Sequence, residues 1–333
     1  MRVSQKDIAE RLHLSIMTVS WTLAGKGDSK RISKATQERV FALAKELNYQ
    51  PNLLARSLNQ GFSGILGLIL PDITDSFYGA IARQIETEAE KRGYTLMICS
   101  SLYDYLREER MINLFRGKQV DGIILAPSSR PEDVPTNLSV NDIPVVAFDQ
   151  ISTHFQGNSI LVDNQEATYT LMSDMIRHGA RHIALLSANP SQFTIRERKR
   201  GYKQALEDAG LPVCEELIAE VPFETYHEDI RGALDRIFGL CPQVDGFFLT
   251  SHILALDVLR YFHERRIDFN RRFQLGCFHD INAFQAIAPG IRVARMPVEE
   301  IGKHAVRIVC DQIEKRKKRV PIQYERLILP CTY

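Results

Sequence analysis

A chain of 333 residues with 44% apolar content is long enough for two or three domains with substantial cores. Its longest apolar run, Ile65 to Leu70, falls far short of the ~20 residues of a membrane span, and its opening MRVSQKDIAE has no signal-peptide core, so a cytoplasmic protein without a membrane partner is expected. Net charge is +1 but uneven: residues 1–60 hold ten Lys/Arg against five Asp/Glu, a net +5, and the remainder holds 32 against 36, a net −4, which fits a small basic module that alone meets phosphates.

In chain order, Ser4 is placed to cap a first helix, with Asp7 reaching back in a capping box and Ile8, Ala9 and Leu12 facing inward. Ser15 opens a second helix with Val19 and Leu23 at apolar spacing. The intervening Leu12-His13-Leu14 turn calls for positive φ, which histidine tolerates. Two short helices joined this tightly predict a helix-turn-helix. A third helix, Lys34 to Leu47, is capped by Ser33 and presents Val40, Leu43 and Leu47.

The run VSQKDIAERLHLSIMTVSWTLAGKG, followed by RISKATQERVFALAKELNYQPNLLARSL, resembles the headpiece of the lactose/galactose-repressor (LacI/GalR) family over its whole length. The resemblance implies that the second helix enters the major groove of double-stranded DNA. Ser4, Gln5, Ser15, Ile16, Met17, Thr18, Ser20 and Trp21 are the contacts it implies on and around that helix. Ile16 and Met17 can touch thymine methyls but cannot hydrogen-bond a base edge. The loop GKGDSKR runs about three residues longer than the common pattern, and Lys30 or Arg31 is expected on phosphate. The segment from Asn52 through Ala55 to Leu58 resembles the family's hinge helix, with Leu58 as the wedge that kinks the minor groove. The implied domains are therefore a headpiece over 1–50, a hinge and linker over 51–61, and a sensor over 62–333.

From Ile65 onward, apolar β-rich runs alternate with amphipathic stretches: Ile65 to Leu70, Tyr94 to Cys99, Gly122 to Ala126, Val145 to Phe148, Ile183 to Ser187, Gly246 to Thr250 and Gln274 to Phe278. Such alternation predicts an α/β, doubly wound region of parallel sheets, with ligands at the carboxyl ends of the strands. The segments LGLILPDITDSFYGAIARQIE, QVDGIILAP, ERKRGYKQALEDAGL and MPVEEIGKHAV are similar to the same family's sensor. That sensor is periplasmic-binding-protein-like, with two subdomains: here about 62–162 with 293–320, and 163–292 with 321–333. The helix Val298 to Ile313 would complete the first and the strand Glu325 to Leu329 the second.

The resemblance places the effector against Phe77, Tyr78, Asp149, Arg198, Phe223, Ser251 and His279. His279 stands where the family usually has an aspartate, in Cys277-Phe278-His279-Asp280, and Ser251-His252 replaces a usual N-D. Beside Arg198, a partly protonated His279 predicts a cationic cleft, a sugar-like effector that carries negative charge, and binding that tightens as pH falls through ~6 to 7.

No nucleotide fingerprint, Walker loop or nucleophile elbow occurs, and His178 and His182 have no third ligand in view. The six cysteines lie far apart without metal-ligand spacing. Neither catalytic residues, nor a metal, nor a cofactor is therefore expected. A regulator that binds a pseudo-palindromic operator as a homodimer fits best, and the end at Tyr333, without a heptad-bearing tail, predicts no tail-zipper tetramer. The alternative is a cytosolic or periplasmic sugar-binding protein without a regulatory role.

Overall fold

The computed structural model describes residues 3–50, 62–128, 143–151, 155–188, 190, 192–222, 225–321 and 323–333, and the chain divides into two units between Ser63 and Gly64.

The first unit contains α1 (Gln5–Leu12), α2 (Ile16–Leu23) and α3 (Lys34–Glu46). Ser4 Oγ accepts from the Asp7 amide at 3.3 Å, and the Asp7 carboxylate accepts from the Ser4 amide at 2.7 Å. This capping box satisfies two amides that a helix start leaves bare, and its hydrogen bonds hold the Asp7 carboxyl below the ordinary range. His13 ends α1 at φ 50°, the left-handed turn residue expected there. Ser15 and Ser33 cap α2 and α3 through the amides of Thr18 and Thr36. Ile8, Ala9, Val19, Val40 and Ala44 are buried at the centre, ringed by Leu12, Leu23, Leu43 and Leu47.

The second unit has strands β1 (Ile65–Leu70), β2 (Thr95–Ser100), β3 (Gly122–Leu125), β4 (Val145–Phe148), β5 (Asn158–Val162), β6 (Ile183–Ala188), β7 (Ile218–Val221), β8 (Gly246–Leu249), β9 (Gln274–Phe278), β10 (Arg292–Ala294) and β11 (Arg326–Leu329). Its longer helices are α4 (Ser76–Glu90), α5 (Tyr105–Gly117), α6 (Asn164–Arg177), α7 (Phe193–Asp208), α8 (Tyr226–Leu240), α9 (His252–Glu264) and α10 (Val298–Lys317). The strands make two parallel sheets, ordered β11-β5-β4-β3-β1-β2 and β10-β9-β8-β6-β7. Runs such as ILGLIL and GFFL are apolar at every position because parallel strands are covered on both faces. On β6, Ile183 and Leu185 join the core under α6 and α7, while Ala184 and Leu186 join the one under α8 and α9. On the first sheet α4 and α10 cover one face. Ile112 and Phe115 of α5 pack on Ile69 and Ile123 of the other.

Helix α10 packs on the first sheet, and the last strand corrects the sequence reading. β11 pairs with β5, from Arg326 beside Ser159 to Leu329 beside Val162, so it belongs to the first lobe and not the second. β11 follows α10, whose apolar face shares one core with Ile160 and Val162 of β5, so the returning chain meets the edge of β5. Only the final residues turn back towards the second lobe. Arg295 and Thr332 exchange backbone hydrogen bonds of 2.7 and 2.9 Å, and the Cys331 amide donates to Asp163 Oδ1 at 2.9 Å. Three segments thus connect the lobes: β5 to α6, β10 to α10, and the tail after β11.

Candidate functional site

In the first unit, Ile16 and Met17 at the start of α2 are 50% and 59% exposed, an apolar pair that the small core does not claim. Thr18 lies beside them, its hydroxyl 2.8 Å from Ser15 Oγ, and Gln5, Ser20 and Trp21 are half-buried while Ser4 is exposed. The long loop is folded back on itself. Asp28 accepts from Lys34 at 2.8 Å and from Gln37 at 2.9 Å, and Arg31 sits at φ 56°. Lys30 Nζ lies 5.1 Å from the centre of the Trp21 ring, which joins the tip of the loop to α2. Asn52, Ala55 and Leu58, and with them the hinge, lie outside the described residues, as does Phe223.

In the second unit, strand ends of both sheets converge on a cavity of about 70 Å³ lined by Phe77, Tyr78, Asp149, Arg198, Ser251 and His279. The described residues of the expected effector set therefore meet in one place. Asp75, Tyr103, Gln150, Thr194, Thr250 and His252 share the lining and were not in that set.

Arg198 projects from α7 and is almost wholly buried. Its Nε donates to Asn164 Oδ1 at 2.8 Å and Nη1 to the Thr250 carbonyl at 2.6 Å. The guanidinium carbon lies 3.7 Å from the centre of the Phe278 ring, so an aromatic face and two acceptors hold the fork flat. Burial draws the guanidinium pKa down, against the pull of Asp149. Asp149 stands at the end of β4 at φ 63°, and Tyr78 Oη donates to its Oδ2 at 2.8 Å. Tyr78 thus orients a carboxylate. Burial raises the Asp149 pKa although Arg198 and the Tyr78 bond oppose it, and Oδ1 is buried with no partner among the described residues. A buried, unsatisfied carboxylate oxygen beside a fixed guanidinium is the mark of a site built for something else to bind.

His279, at φ 72°, stacks on Phe77 with ring centres 4.4 Å apart and planes within 8°. Its Nδ1 lies 3.3 Å from His252 Nδ1, and its Nε2 is buried without a partner among the described residues. His252 Nε2 in turn lies 3.3 Å from Asp75 Oδ1 and 3.5 Å from Ser76 Oγ, both on the first lobe. Gln150 bridges the lobes as well, donating to Thr194 Oγ1 at 2.6 Å.

These surroundings overturn the expectation of a protonated His279. Burial, then Arg198 and His252, hold its pKa well below the ordinary 6.5, so the ring is neutral near pH 7 and the cleft contains two carboxylates, Asp75 and Asp149, with one cation, Arg198. The predicted tightening of binding between pH 6 and 7 loses its basis. A folded-state pKa below the unfolded one contributes stability that is present above 6.5 and lost as pH falls. In urea melts at several pH values, wild type should therefore lose stability relative to His279→Gln below pH 6.5, approaching a slope of one proton. A pH-independent gap between the two would contradict this.

All six cysteines are free thiols, no cluster of His, Cys, Asp or Glu suits a metal among the described residues, and no described helix is long and apolar enough to cross a membrane.

Comparison with known proteins agrees with both units. Residues 63–251 match the family of periplasmic binding proteins and sugar binding domain of the LacI family. Residues 173–330 match a periplasmic binding protein-like domain, and residues 4–52 match bacterial regulatory proteins of the lacI family. The ribose operon repressor of Halalkalibacterium halodurans is 28% identical, covering 93% of this chain and 90% of its own length. Catabolite control protein A of Priestia megaterium is 27% identical over 95% and 94%. Among solved structures, a complex of the transcriptional regulator CelR with cellobiose has a TM-score of 0.72 at 22% identity, covering 99% of this chain and 98% of its own. The Cra dual regulator of Pseudomonas putida with fructose 1-phosphate scores 0.70 at 24% identity, covering 81% and 97%.

Proposed function

The chain belongs to the LacI family of bacterial regulatory proteins, and from that premise we propose how its two units work as a dimeric, cytoplasmic repressor. It is a DNA-binding transcriptional regulator and not an enzyme, and its operator affinity is controlled by a small molecule in the sensor cleft. The observation that carries the sensor half is that the buried Arg198 and Asp149 line one cavity between the two lobes, with Asp149 Oδ1 left without a hydrogen-bond partner among the described residues.

Two headpieces read the halves of a pseudo-palindromic operator, because one headpiece covers only a half-site and a two-fold dimer matches a palindrome. Ile16 and Met17 meet thymine methyls, while Gln5, Thr18 and Ser20 supply polar contacts to bases. Ser4, Ser15, Trp21 and Lys30 flank that helix, and Arg31 meets phosphate. Asn52, Ala55 and Leu58 form the hinge contact in the minor groove. The effector is sugar-like: one relative is named a ribose operon repressor, and the structural neighbours hold cellobiose and fructose 1-phosphate.

Fluorescence anisotropy with operator and scrambled DNA tests the DNA half. Arg31→Ala should lower affinity on both and reduce the salt slope by about one contact. Leu58→Ala should weaken operator binding far more than scrambled DNA, since a wedge acts only on a kinked site. Equal losses on both DNAs for Leu58→Ala would sink the hinge assignment. Failure of wild type to prefer any operator would favour the solute-binding alternative.

A further inference from the structure

The cleft holds a series of polar side chains that crosses from one lobe to the other: Asp75 Oδ1 lies 3.3 Å from His252 Nε2, and His252 Nδ1 lies 3.3 Å from His279 Nδ1. The negative carboxylate oxygen of Asp75, 3.3 Å from His252 Nε2, favours the ring tautomer with its hydrogen on that nitrogen, and Ser76 Oγ, 3.5 Å away, can accept it. Asp75 is held in place by its own capping bond from the Phe77 amide to Oδ1 at 2.8 Å. With Nε2 protonated, the Nδ1 of a neutral His252 has a lone pair. His279 Nδ1, 3.3 Å away, must then be the donor, and its Nε2 is left as a bare acceptor. That atom is buried without a partner among the described residues, on a ring clamped beneath Phe77. The other arrangement, a doubly protonated His252, would add a second positive charge to a dry site that already contains the Arg198 guanidinium. The second orphan in the cleft, Asp149 Oδ1, is an acceptor as well.

We propose that Asp75, acting through His252, fixes His279 in the tautomer that presents Nε2 as an acceptor, and that this atom selects an effector hydroxyl or N–H over an anionic group. The proposal rests on the sensor reading of the same cleft. It assigns Asp75 and His252 as positioning residues for specificity. Asp75 belongs to the first lobe while His252 and His279 belong to the second, so the tautomer is set only when the lobes are together. An anion entering the cleft would meet two acceptors at close range. A neutral donor would satisfy both orphans, and leaving such a group unmatched costs the full desolvation penalty.

Full-length protein labelled with ¹⁵N-histidine provides the test. At pH 7.5 the ring nitrogens of His279 should show Nε2 unprotonated and Nδ1 protonated. Asp75→Asn retains the helix cap and should redistribute that tautomer; His252→Gln is the second variant should Asp75→Asn fold poorly. In parallel, calorimetry with matched pairs of ribose, glucose and fructose and their phosphate esters, and of adenosine and guanosine and their monophosphates, should favour the neutral member of any pair that binds by tenfold or more. Asp75→Asn should shrink that ratio. A protonated Nε2 in wild type, or a tighter phosphorylated partner, overturns the proposal. Failure of the sensor reading itself would show differently, as operator binding indifferent to every compound while the His279 tautomer stays as described.

Discussion

Arg198→Met should abolish the ligand response while leaving operator binding intact. Methionine fills much of the same space and can lie on Phe278, so the helix packing survives. What disappears is the buried charge that fixes one side of the cavity. Truncating a hydrogen-bonded buried charge at a binding surface costs roughly 2–5 kcal/mol, which is about 30-fold or more in Kd. The carbonyl of Thr250 and Oδ1 of Asn164, which now accept from the guanidinium, would be left bare at ~1–3 kcal/mol each. Part of that cost is offset because the desolvation that depresses the Arg198 pKa is relieved. Calorimetry with a ligand that binds wild type, alongside operator anisotropy with and without it, distinguishes the outcomes. A variant that still responds to ligand at wild-type concentrations would remove Arg198 from the site.

Gly201→Ala should be the most disruptive single methyl in the sensor. A Cβ there would lie 2.2 Å from the Gln165 carbonyl oxygen, 2.9 Å from Thr168 Cβ and 3.0 Å from the Tyr169 amide. Two of these are backbone atoms of α6, so no side-chain rotation relieves the clash and the helices must part. Overpacking of this kind costs ~1–3 kcal/mol or more, well above the gain of ~1 kcal/mol from replacing a helical glycine by alanine. Arg198 is one turn away on α7, so the same shift should loosen ligand binding. Gly232→Ala in α8 is the control, because its Cβ would enter open space and the ordinary helix gain should appear. Thermal melts of the two variants should move in opposite directions; a stabilised Gly201→Ala would show that α6 and α7 are not in close contact.

The parts of this fold that sequence made legible are those governed by neighbours along the chain. Capping serines at positions 4, 15 and 33, the left-handed His13, and apolar runs from β1 to β4 and in β6, β8 and β9 all carry their signal locally. Three strands escaped that reading. β10 has only three residues, β7 carries the exposed Glu220, and β5 opens on the polar pair Asn158-Ser159. β11 was recognised as a strand but given to the wrong lobe, since pairing across more than 160 residues, such as Leu329 with Val162, leaves no trace in local periodicity. The cleft shows the same division. Tyr78, Asp149 and Arg198 stood out through their resemblance to a known pattern, yet what each does there depends on partners from the other chain segments. Asp75, a helix cap in the structure, was not singled out, and His252 was noticed only as part of the Ser251-His252 departure, with nothing to say that the two residues meet across the cleft. His279 was noticed as a departure, but its protonation state follows from burial and from Arg198.

The position of β11 also bears on the order in which the lobes can fold during synthesis. Residues 163–294 supply every strand of the second sheet from one continuous stretch, so that lobe can close as soon as it has emerged. The first lobe, although begun earlier, must wait for residues 298–329: until then the β5 edge is unpaired, and Ile124, Val146 and Phe148 lack the cover of α10. The usual progression from N-terminus to C-terminus is therefore inverted. A nascent or truncated chain that stops short of Val298 exposes an open parallel edge beside apolar surface, the combination that promotes aggregation.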